Sequence, residues 1–159
     1  MELIHISKAD AARAVQTVVG GSVESLSNNS YQVISSDGRT WNVVHDGSLS
    51  GPSSQNAEVV SSILKYNDIE SFQEVIRALR KAGARLDHSC GLHCHVCAEN
   101  FTVNTMKNLV RMIAKQETLI EHVCQVTPAR KARYCKSIDP TFLRKVNGKM
   151  TTLRQLNEA

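Results

Sequence analysis

Aromatic side chains, long apolar runs and glycine-rich nucleotide-binding motifs are scarce or missing in this chain of 159 residues. No window reaches the roughly 18 consecutive apolar residues of a membrane span, and the start at Met1 lacks a signal-peptide pattern, so the protein is expected to be soluble and cytoplasmic. Aromatic residues make up only 4%, which argues against stacking on single-stranded nucleic acid. Neither Gly-x-x-x-x-Gly-Lys-Ser/Thr nor Gly-x-Gly-x-x-Gly occurs, so any nucleotide site must use another design.

Charged residues are present in ordinary numbers but are segregated along the chain. Residues 1–106 hold 8 Lys/Arg against 11 Asp/Glu, and residues 107–159 hold 11 against 4. A basic half of this kind can meet nucleic acid or the phosphates of a nucleotide. Its densest part is Arg130, Lys131, Arg133 and Lys136, which is either a solvated face or a set of phosphate- and carboxylate-binding groups.

Hydrophobic periodicity predicts an α+β fold with an antiparallel or mixed sheet and helices packed on one face. The chain opens with a strand, and residues 22–30 look like a polar loop. Later segments follow as a hairpin with an Asp-Gly turn, a strand with one acidic residue, and helices that begin at Ser, Asp or Thr caps. The predicted elements are helices over 8–19, 69–82 and 102–124, strands over 31–34, 40–44, 57–64 and 90–97, and short helical pieces over 129–159.

The segment Cys90-Gly91-Leu92-His93-Cys94-His95-Val96-Cys97 is the most informative one. As a strand it points His93 and His95 to the same face, where two imidazoles suit a metal ion or phosphate. The same segment allows a zinc site on Cys90, His93, Cys94 and Cys97, and it equally allows a buried strand whose cysteines only pack. Five cysteines in total is an odd number and a poor disulfide framework, which suits a reducing cytosol.

Carboxylates at two predicted strands are the other candidates for a metal site. Glu58 stands alone in an apolar strand, and a carboxylate is almost never buried without a partner. An Arg or Lys is the usual partner, but two histidines on one face and the upstream Asp46 make a hard divalent cation competitive. Glu2 follows the same logic, although chain ends are often frayed and solvated.

These motifs, taken in order, resemble the amidoligase family, a bacterial and phage branch, also found in fungi, of the glutamine-synthetase-like carboxylate–amine ligases. The resemblance covers about residues 40–136, and its most specific part is the Gly-Leu-His-x-His-Val segment behind Glu-Val-Val-Ser. It rests on Trp41–Leu49, Ala57–Leu64, Ala78–Arg80, Ala82–Ala84, Cys90–Val96, Lys107–Val110, Arg130 and Tyr134–Cys135.

The resemblance implies a glutamine-synthetase-like catalytic fold and an ATP-dependent ligase that forms an amide or peptide-like bond through an acyl-phosphate. It implies that Glu2, Glu58 and His93 bind Mg²⁺ or Mn²⁺, that His95 binds the ATP phosphates, and that Arg130 binds the ATP phosphates or a substrate carboxylate. The substrates would be small-molecule or peptide carboxylates and amines, with no covalent cysteine, no membrane and no nucleic acid; a homo-oligomer is compatible with it. The alternatives from the residues themselves are a non-catalytic zinc module and a basic nucleic-acid-binding module.

The resemblance also predicts that the chain is the front portion of such a domain. Family members open with Gly-x-Glu-x-Glu, of which Glu2 resembles the second glutamate, and their later Glu-Phe-Arg type strand has no counterpart here. We therefore expect a front portion over 1–136 with a helical extension over 137–159, and very weak or no ATP turnover by this chain.

Overall fold

The computed structural model of the protein describes residues 1–148 and 150–158 and divides the chain into two compact units, Met1–Cys94 and His95–Ala159. The first unit contains all the strands of the described residues, in one antiparallel sheet, and the second contains helices joined by loops. In the described residues, no helix combines the length and the apolar character required to cross a bilayer. The predicted division of the chain at residue 136 stays a prediction.

The sheet of the first unit has five strands in the order β1-β5-β4-β3-β2, and every neighbouring pair is antiparallel. This confirms the predicted α+β class with an antiparallel sheet, whereas the glutamine-synthetase-like fold stays a prediction. The elements of this unit are β1 (Glu2–Ile4), α1 (Lys8–Val19), β2 (Ser22–Ser25), β3 (Tyr31–Ile34), β4 (Thr40–Val44), β5 (Asn56–Val60) and α2 (Ile69–Lys81).

The predicted hairpin shows how the sequence sets the two faces of the sheet. Gly38 takes a φ of 80°, a left-handed conformation that favours glycine and closes the turn between β3 and β4. Beyond the turn, Trp41 and Val43 are buried while Asn42 and Val44 stay partly exposed. This alternation is typical of a strand with one face on a core and the other face open.

The two helices of the first unit lie on the apolar side of the sheet. Ser7 caps α1 by accepting a hydrogen bond from the Asp10 N–H, and the buried side chains of this helix pack against the sheet and α2. Trp41 stacks on Phe72 of α2, with ring centroids 6.5 Å apart. The core of the unit comprises Leu3, Ile6, Ala11, Ala12, Ala14, Val15, Val33, Trp41, Val43, Ala57, Val59, Val75, Leu79 and Ala84.

The polar loop predicted over residues 22–30 is wrong in its first half. Residues Ser22–Ser25 form the edge strand β2, which pairs with β3, and Ser27–Asn29 form a 3₁₀ turn. An edge strand is held by backbone hydrogen bonds and need not bury its side chains, so it carries no hydrophobic signal. Gly21 allows the chain to pass from α1 into β2, since a Cβ at this position would lie 1.9 Å from the Ile34 carbonyl oxygen.

Two other strand predictions are corrected by the structure. The strand expected over 57–64 is β5, Asn56–Val60, whose last paired residues are Glu58 on the β1 side and Val60 on the β4 side. The segment Cys90–Cys97 is not a strand, because it forms no ladder with the sheet. Cys94 and Cys97 are exposed and Cys90 is half-buried, so these cysteines do not pack in a core strand.

The second unit is helical, as predicted, and each of its helices begins at a side-chain cap. Its helices are α3 (Val103–Val123), α4 (Pro128–Arg133), α5 (Pro140–Asn147) and α6 (Leu153–Asn157). The caps are Thr102, Thr127, Asp139 and Thr152, each of which accepts a backbone N–H from the first turn. Lys107 and Arg111 of α3 donate to residues at the end of α5 and join the two helices.

Candidate functional site

Two carboxylates lie opposite each other on the open face of the sheet. The register pairs Glu2 of β1 with Glu58 of β5, and the next pair along, Leu3 with Ala57, is turned to the core. Directly opposed residues of an antiparallel pair have Cβ atoms about 4.5–5.5 Å apart, where like charges destabilise the sheet. A cation bound between Glu2 and Glu58 would remove this repulsion.

His93 is the third member of the group. One ligand atom of each of Glu2, Glu58 and His93 can be chosen so that all three lie within 4.8 Å of one another. The Nε2 atom of His93 is 3.4 Å from a carboxylate oxygen of Glu2. The side chain of His93 is 52% exposed and that of Glu2 only 5%, so the group has a buried carboxylate beneath an accessible imidazole.

His93 reaches the sheet because the preceding chain runs along the free edge of β1. Arg85 and Ile4 exchange two backbone hydrogen bonds of 2.9 and 3.0 Å, and the Glu2 N–H donates to the Gly91 carbonyl at 3.0 Å. These contacts hold the backbone next to Glu2 two residues before His93. The segment thus positions the imidazole by following the edge of the sheet, without forming the strand that the sequence predicted.

Burial is the largest influence on Glu2 and raises the pKa of its carboxyl, because the charged form loses hydration. A backbone hydrogen bond from Gly91 and the nearby His93 act in the opposite direction on this pKa. The neighbouring Asp46 carboxylate acts in the same direction as burial and raises the pKa of Glu2 further. Its own pKa is lowered, chiefly by the Ser48 N–H, which donates to Asp46 at 2.7 Å. Asp46 thus adds a third carboxylate beside the pair.

The donor set fits a hard divalent cation. Carboxylate oxygens are the ligands that Mg²⁺ and Mn²⁺ prefer, and an imidazole nitrogen is acceptable to Mn²⁺. The group offers two facing carboxylates and one imidazole with an exposed side, which leaves coordination positions for water or a substrate oxygen. The structure thus brings together the three residues predicted to hold the metal, and their binding of a metal stays a prediction.

The residues predicted to bind phosphate, His95 and Arg130, belong to the second unit. His95 is exposed, and Arg130 is half-buried at the last turns of α4 with its guanidinium 5.1 Å from the centre of the Tyr134 ring. Arg133 lies at the same distance from that ring, so two guanidinium groups flank one aromatic side chain. The phosphate-binding role of His95 and Arg130 stays a prediction.

The zinc hypothesis finds no support in the described residues. Across 1–148 and 150–158, the one group of three or more His, Cys, Asp or Glu side chains close enough to share a metal is Glu2, Glu58 and His93. No cysteine belongs to it, and all five cysteines are free thiols. The exposure of Cys94 and Cys97 also differs from the closed, buried character of a structural zinc site.

Lys8 is a buried cation at the start of β5 that the sequence pattern did not single out. Lys8 is only 4% exposed, and its Nζ donates to the carbonyls of Ser53 and Asn56 at 2.6 and 3.2 Å, which fixes the start of β5. The side-chain oxygen of Asn56 in turn lies 3.3 Å from Nδ1 of His45. The spacing of Lys8 with Ala11, Ala12 and Val15 places it on the buried face of α1, and this was the available signal.

The comparison with protein families supplies the identity of the chain. The model of the family described as "Putative amidoligase enzyme" matches residues 1–159, which extends the resemblance over the whole chain. No curated protein and no solved structure matches this sequence. The residues on which the resemblance rested include the strand and the histidine segment that meet at Glu58 and His93. The chain belongs to the amidoligase family.

Proposed function

We propose that this protein is an ATP-dependent carboxylate–amine ligase whose Mg²⁺ or Mn²⁺ is held by Glu2, Glu58 and His93. The observation that carries the proposal is the convergence of these three side chains on the open face of the sheet. Membership in the amidoligase family supplies the reaction class, the joining of a carboxylate to an amine. The two substrates are proposed to be small molecules or peptides, one carrying the carboxylate and the other the amine.

The proposed reaction has two steps. A carboxylate oxygen of one substrate attacks the γ-phosphorus of ATP, and ADP leaves, which gives an acyl-phosphate. The amine nitrogen of the other substrate then attacks the acyl carbon, loses a proton, and expels inorganic phosphate to leave an amide. When bound, the metal would supply positive charge against the phosphate oxygens, which is the main requirement of phosphoryl transfer.

The side chains of the chain have distinct parts in this proposal. Glu2 and Glu58 bind the metal from two strands of one sheet, so their separation is fixed by the register. Asp46 lies beside Glu2 and adds a further negative charge that favours a cation at this site. His95 and Arg130 contact the ATP phosphates, for which a planar guanidinium is well suited. No covalent intermediate with the protein is needed.

The first test is metal binding by the Glu58→Gln variant. Wild-type protein should bind Mn²⁺, measured as loss of the free-ion signal in electron paramagnetic resonance. Glu58→Gln removes a direct ligand and should weaken binding by more than the roughly 10–100-fold that loss of an outer partner costs. Calorimetric titration with ATP should show binding that requires Mn²⁺ or Mg²⁺ and is lost in the same variant.

Glu24→Gln is the matched control, because Glu24 is an exposed glutamate of the same sheet on the edge strand β2. It changes the charge by the same amount and should leave Mn²⁺ binding unaltered. Equal Mn²⁺ affinity in wild type and Glu58→Gln would contradict the metal site. Normal metal binding without metal-dependent ATP binding would contradict the ligase mechanism while leaving the metal site standing.

A further inference from the structure

Four cationic side chains line a surface depression of the first unit, which we call the basic depression. Its residues are Arg77, Arg80, Lys81 and Arg85, and its volume is about 470 Å³. Three of them lie in the last turns of α2 and the fourth follows four residues after the helix ends. Residues 1–94 contain eight Lys and Arg in total, so half of the cations of an otherwise acidic unit gather at this place.

Helix capping accounts for only one of the four cations. Arg85 donates from Nη1 to the carbonyls of Ala84 and Arg80, at 2.8 and 3.4 Å, and so satisfies an acceptor at the end of α2. Arg77 pairs with Glu74 and also donates to Gln73. In the part of the chain that the structure describes, no side-chain hydrogen bond or ion pair involves Arg80 or Lys81, and both are exposed.

The arrangement carries an electrostatic cost without a bound anion. Arg77 stands three and four residues before Arg80 and Lys81, the two spacings at which side chains of a helix are neighbours and like charges destabilise it. The C-terminal end of a helix dipole favours cations, but this effect is limited to the last turn and is screened by salt. An anion placed among the four groups would offset their repulsion and would receive charge-assisted hydrogen bonds.

We propose that the basic depression binds a compact ligand with at least two anionic groups, either phosphates or carboxylates. The volume suits a small molecule, and the arginine side chains offer planar forks that match both kinds of oxyanion. The ligand would not share the metal centre. Arg85 turns its guanidinium to the end of α2, a helix on the apolar side of the sheet, whereas Glu2 and Glu58 lie on the open face.

The test is calorimetric titration of the full chain at low salt with two probes, inorganic tripolyphosphate and citrate. The protein is first stripped of metal on a chelating resin, so that the metal centre does not contribute and no soluble chelator competes with the probes. The result is then independent of the proposed ligase activity. Wild-type protein should bind at least one probe, and the affinity should fall steeply as salt is added. Tighter binding of tripolyphosphate identifies phosphate as the ligand chemistry, and tighter binding of citrate identifies carboxylate.

Arg80→Gln/Lys81→Gln should lower the affinity about tenfold or more, since it removes two charged donors at exposed positions. Arg13→Gln/Lys65→Gln is the matched control, because it removes two exposed cations from the same unit and should change the affinity less than twofold. Trp41 fluorescence confirms that both variants keep the core. Binding of neither probe by wild type would overturn the proposal, and so would equal losses of affinity in the two double variants.

Discussion

The two units of the molecule differ in how they hold their side chains. The first has fourteen buried hydrophobic residues in one cluster that joins α1, α2 and the sheet. In the second, none of the 21 residues of α3 is buried, and the buried hydrophobics among its described residues are Val146 and Leu156. Side chains on a close-packed scaffold are held in fixed geometry, which suits ligands that must meet a metal within tenths of an ångström.

The charges of the two units follow the same division. Residues 1–94 hold 8 Lys/Arg against 10 Asp/Glu, and residues 95–159 hold 11 against 5. The three carboxylates Glu2, Asp46 and Glu58 lie in the acidic unit, and the sheet register fixes the spacing of Glu2 and Glu58. Phosphate recognition tolerates looser positioning, because several mobile cations can share one polyanion, and this is the role proposed for the basic unit.

The largest expected effect distinguishes the two cores. Leu79 is 2% exposed and belongs to the hydrophobic core of the first unit. Leu79→Ala should therefore lower the free energy of unfolding of that unit by about 2–5 kcal/mol. Val146 is fully buried in the second unit, and Val146→Ala removes two methyl groups, worth about 1–2 kcal/mol. Denaturation followed by the fluorescence of Trp41, the single tryptophan, reports on the first unit.

Leu86→Ala is the control for Leu79→Ala, because the same groups are removed from a side chain that is 69% exposed. It should leave the midpoint of the Trp41 transition unchanged. Val146→Ala should also leave that midpoint unchanged while lowering the protection of α5 amides against hydrogen exchange. A shift of the Trp41 transition by Val146→Ala as large as that by Leu79→Ala would contradict the division into two units.

The elements that were predicted well are those whose signal is local. The first helix was predicted from its Ser7 cap and its apolar spacing, and the hairpin from Asp37-Gly38, because both depend on residues near in sequence. The edge strand β2 was missed because its stability comes from backbone pairing with β3, which leaves no side-chain pattern. The absence of a helical period predicts a strand over Cys90–Cys97, but this absence does not distinguish a strand from a chain lying along the edge of a sheet.

The residues alone make a cation at Glu58, Glu2 and the histidines one alternative among several, and the family resemblance implies the set of Glu2, Glu58 and His93. Spacing could place Glu2 and Glu58 on strands, but the pairing of β1 with β5 joins residues more than fifty positions apart and depends on the whole topology. His93 was expected to share a strand face with His95, whereas it reaches Glu2 through the backbone contact at Gly91. The reason for the convergence is therefore long-range backbone pairing, which no local pattern contains.

A smaller effect is expected from removing one helix N-cap in each unit, and the two caps are equivalent. Ser7 accepts the Asp10 N–H at 3.1 Å at the start of α1, and Thr102 accepts the Thr105 N–H at 3.2 Å at the start of α3. Ser7→Ala and Thr102→Ala should each cost about 1 kcal/mol. Ser7→Ala should lower the Trp41 transition, whereas Thr102→Ala should show as faster hydrogen exchange in the first turn of α3. Equal effects of both variants on Trp41 would contradict this assignment.

The smallest expected effect concerns a partly exposed ion cluster of the first unit and its dependence on pH. Arg39 donates to both carboxylate oxygens of Asp68, at 2.9 and 3.0 Å, and to Asp37, and so ties the hairpin turn to the start of α2. Arg39 is the main cause of the lowered pKa of Asp68, whereas the pKa of Asp37, about 2, is lowered chiefly by the Ser35 hydroxyl.

Because both pKa values are depressed in the folded protein, the cluster stabilises the fold above the unfolded value of about 4, and this contribution is lost as the pH falls through the folded values. Arg39→Gln should therefore lower the midpoint of the Trp41 transition at pH 6 by less than the Ser7→Ala change, since ion pairs that solvent can reach are weak. The difference between wild type and Arg39→Gln should shrink as the pH falls from about 4 toward 2.

Lys131→Gln, which breaks the Lys131–Glu121 pair of the second unit, is the control and should leave the Trp41 midpoint unchanged at either pH. A constant difference between wild type and Arg39→Gln across this range would show that Arg39 acts through packing of its aliphatic stem and not through the two carboxylates.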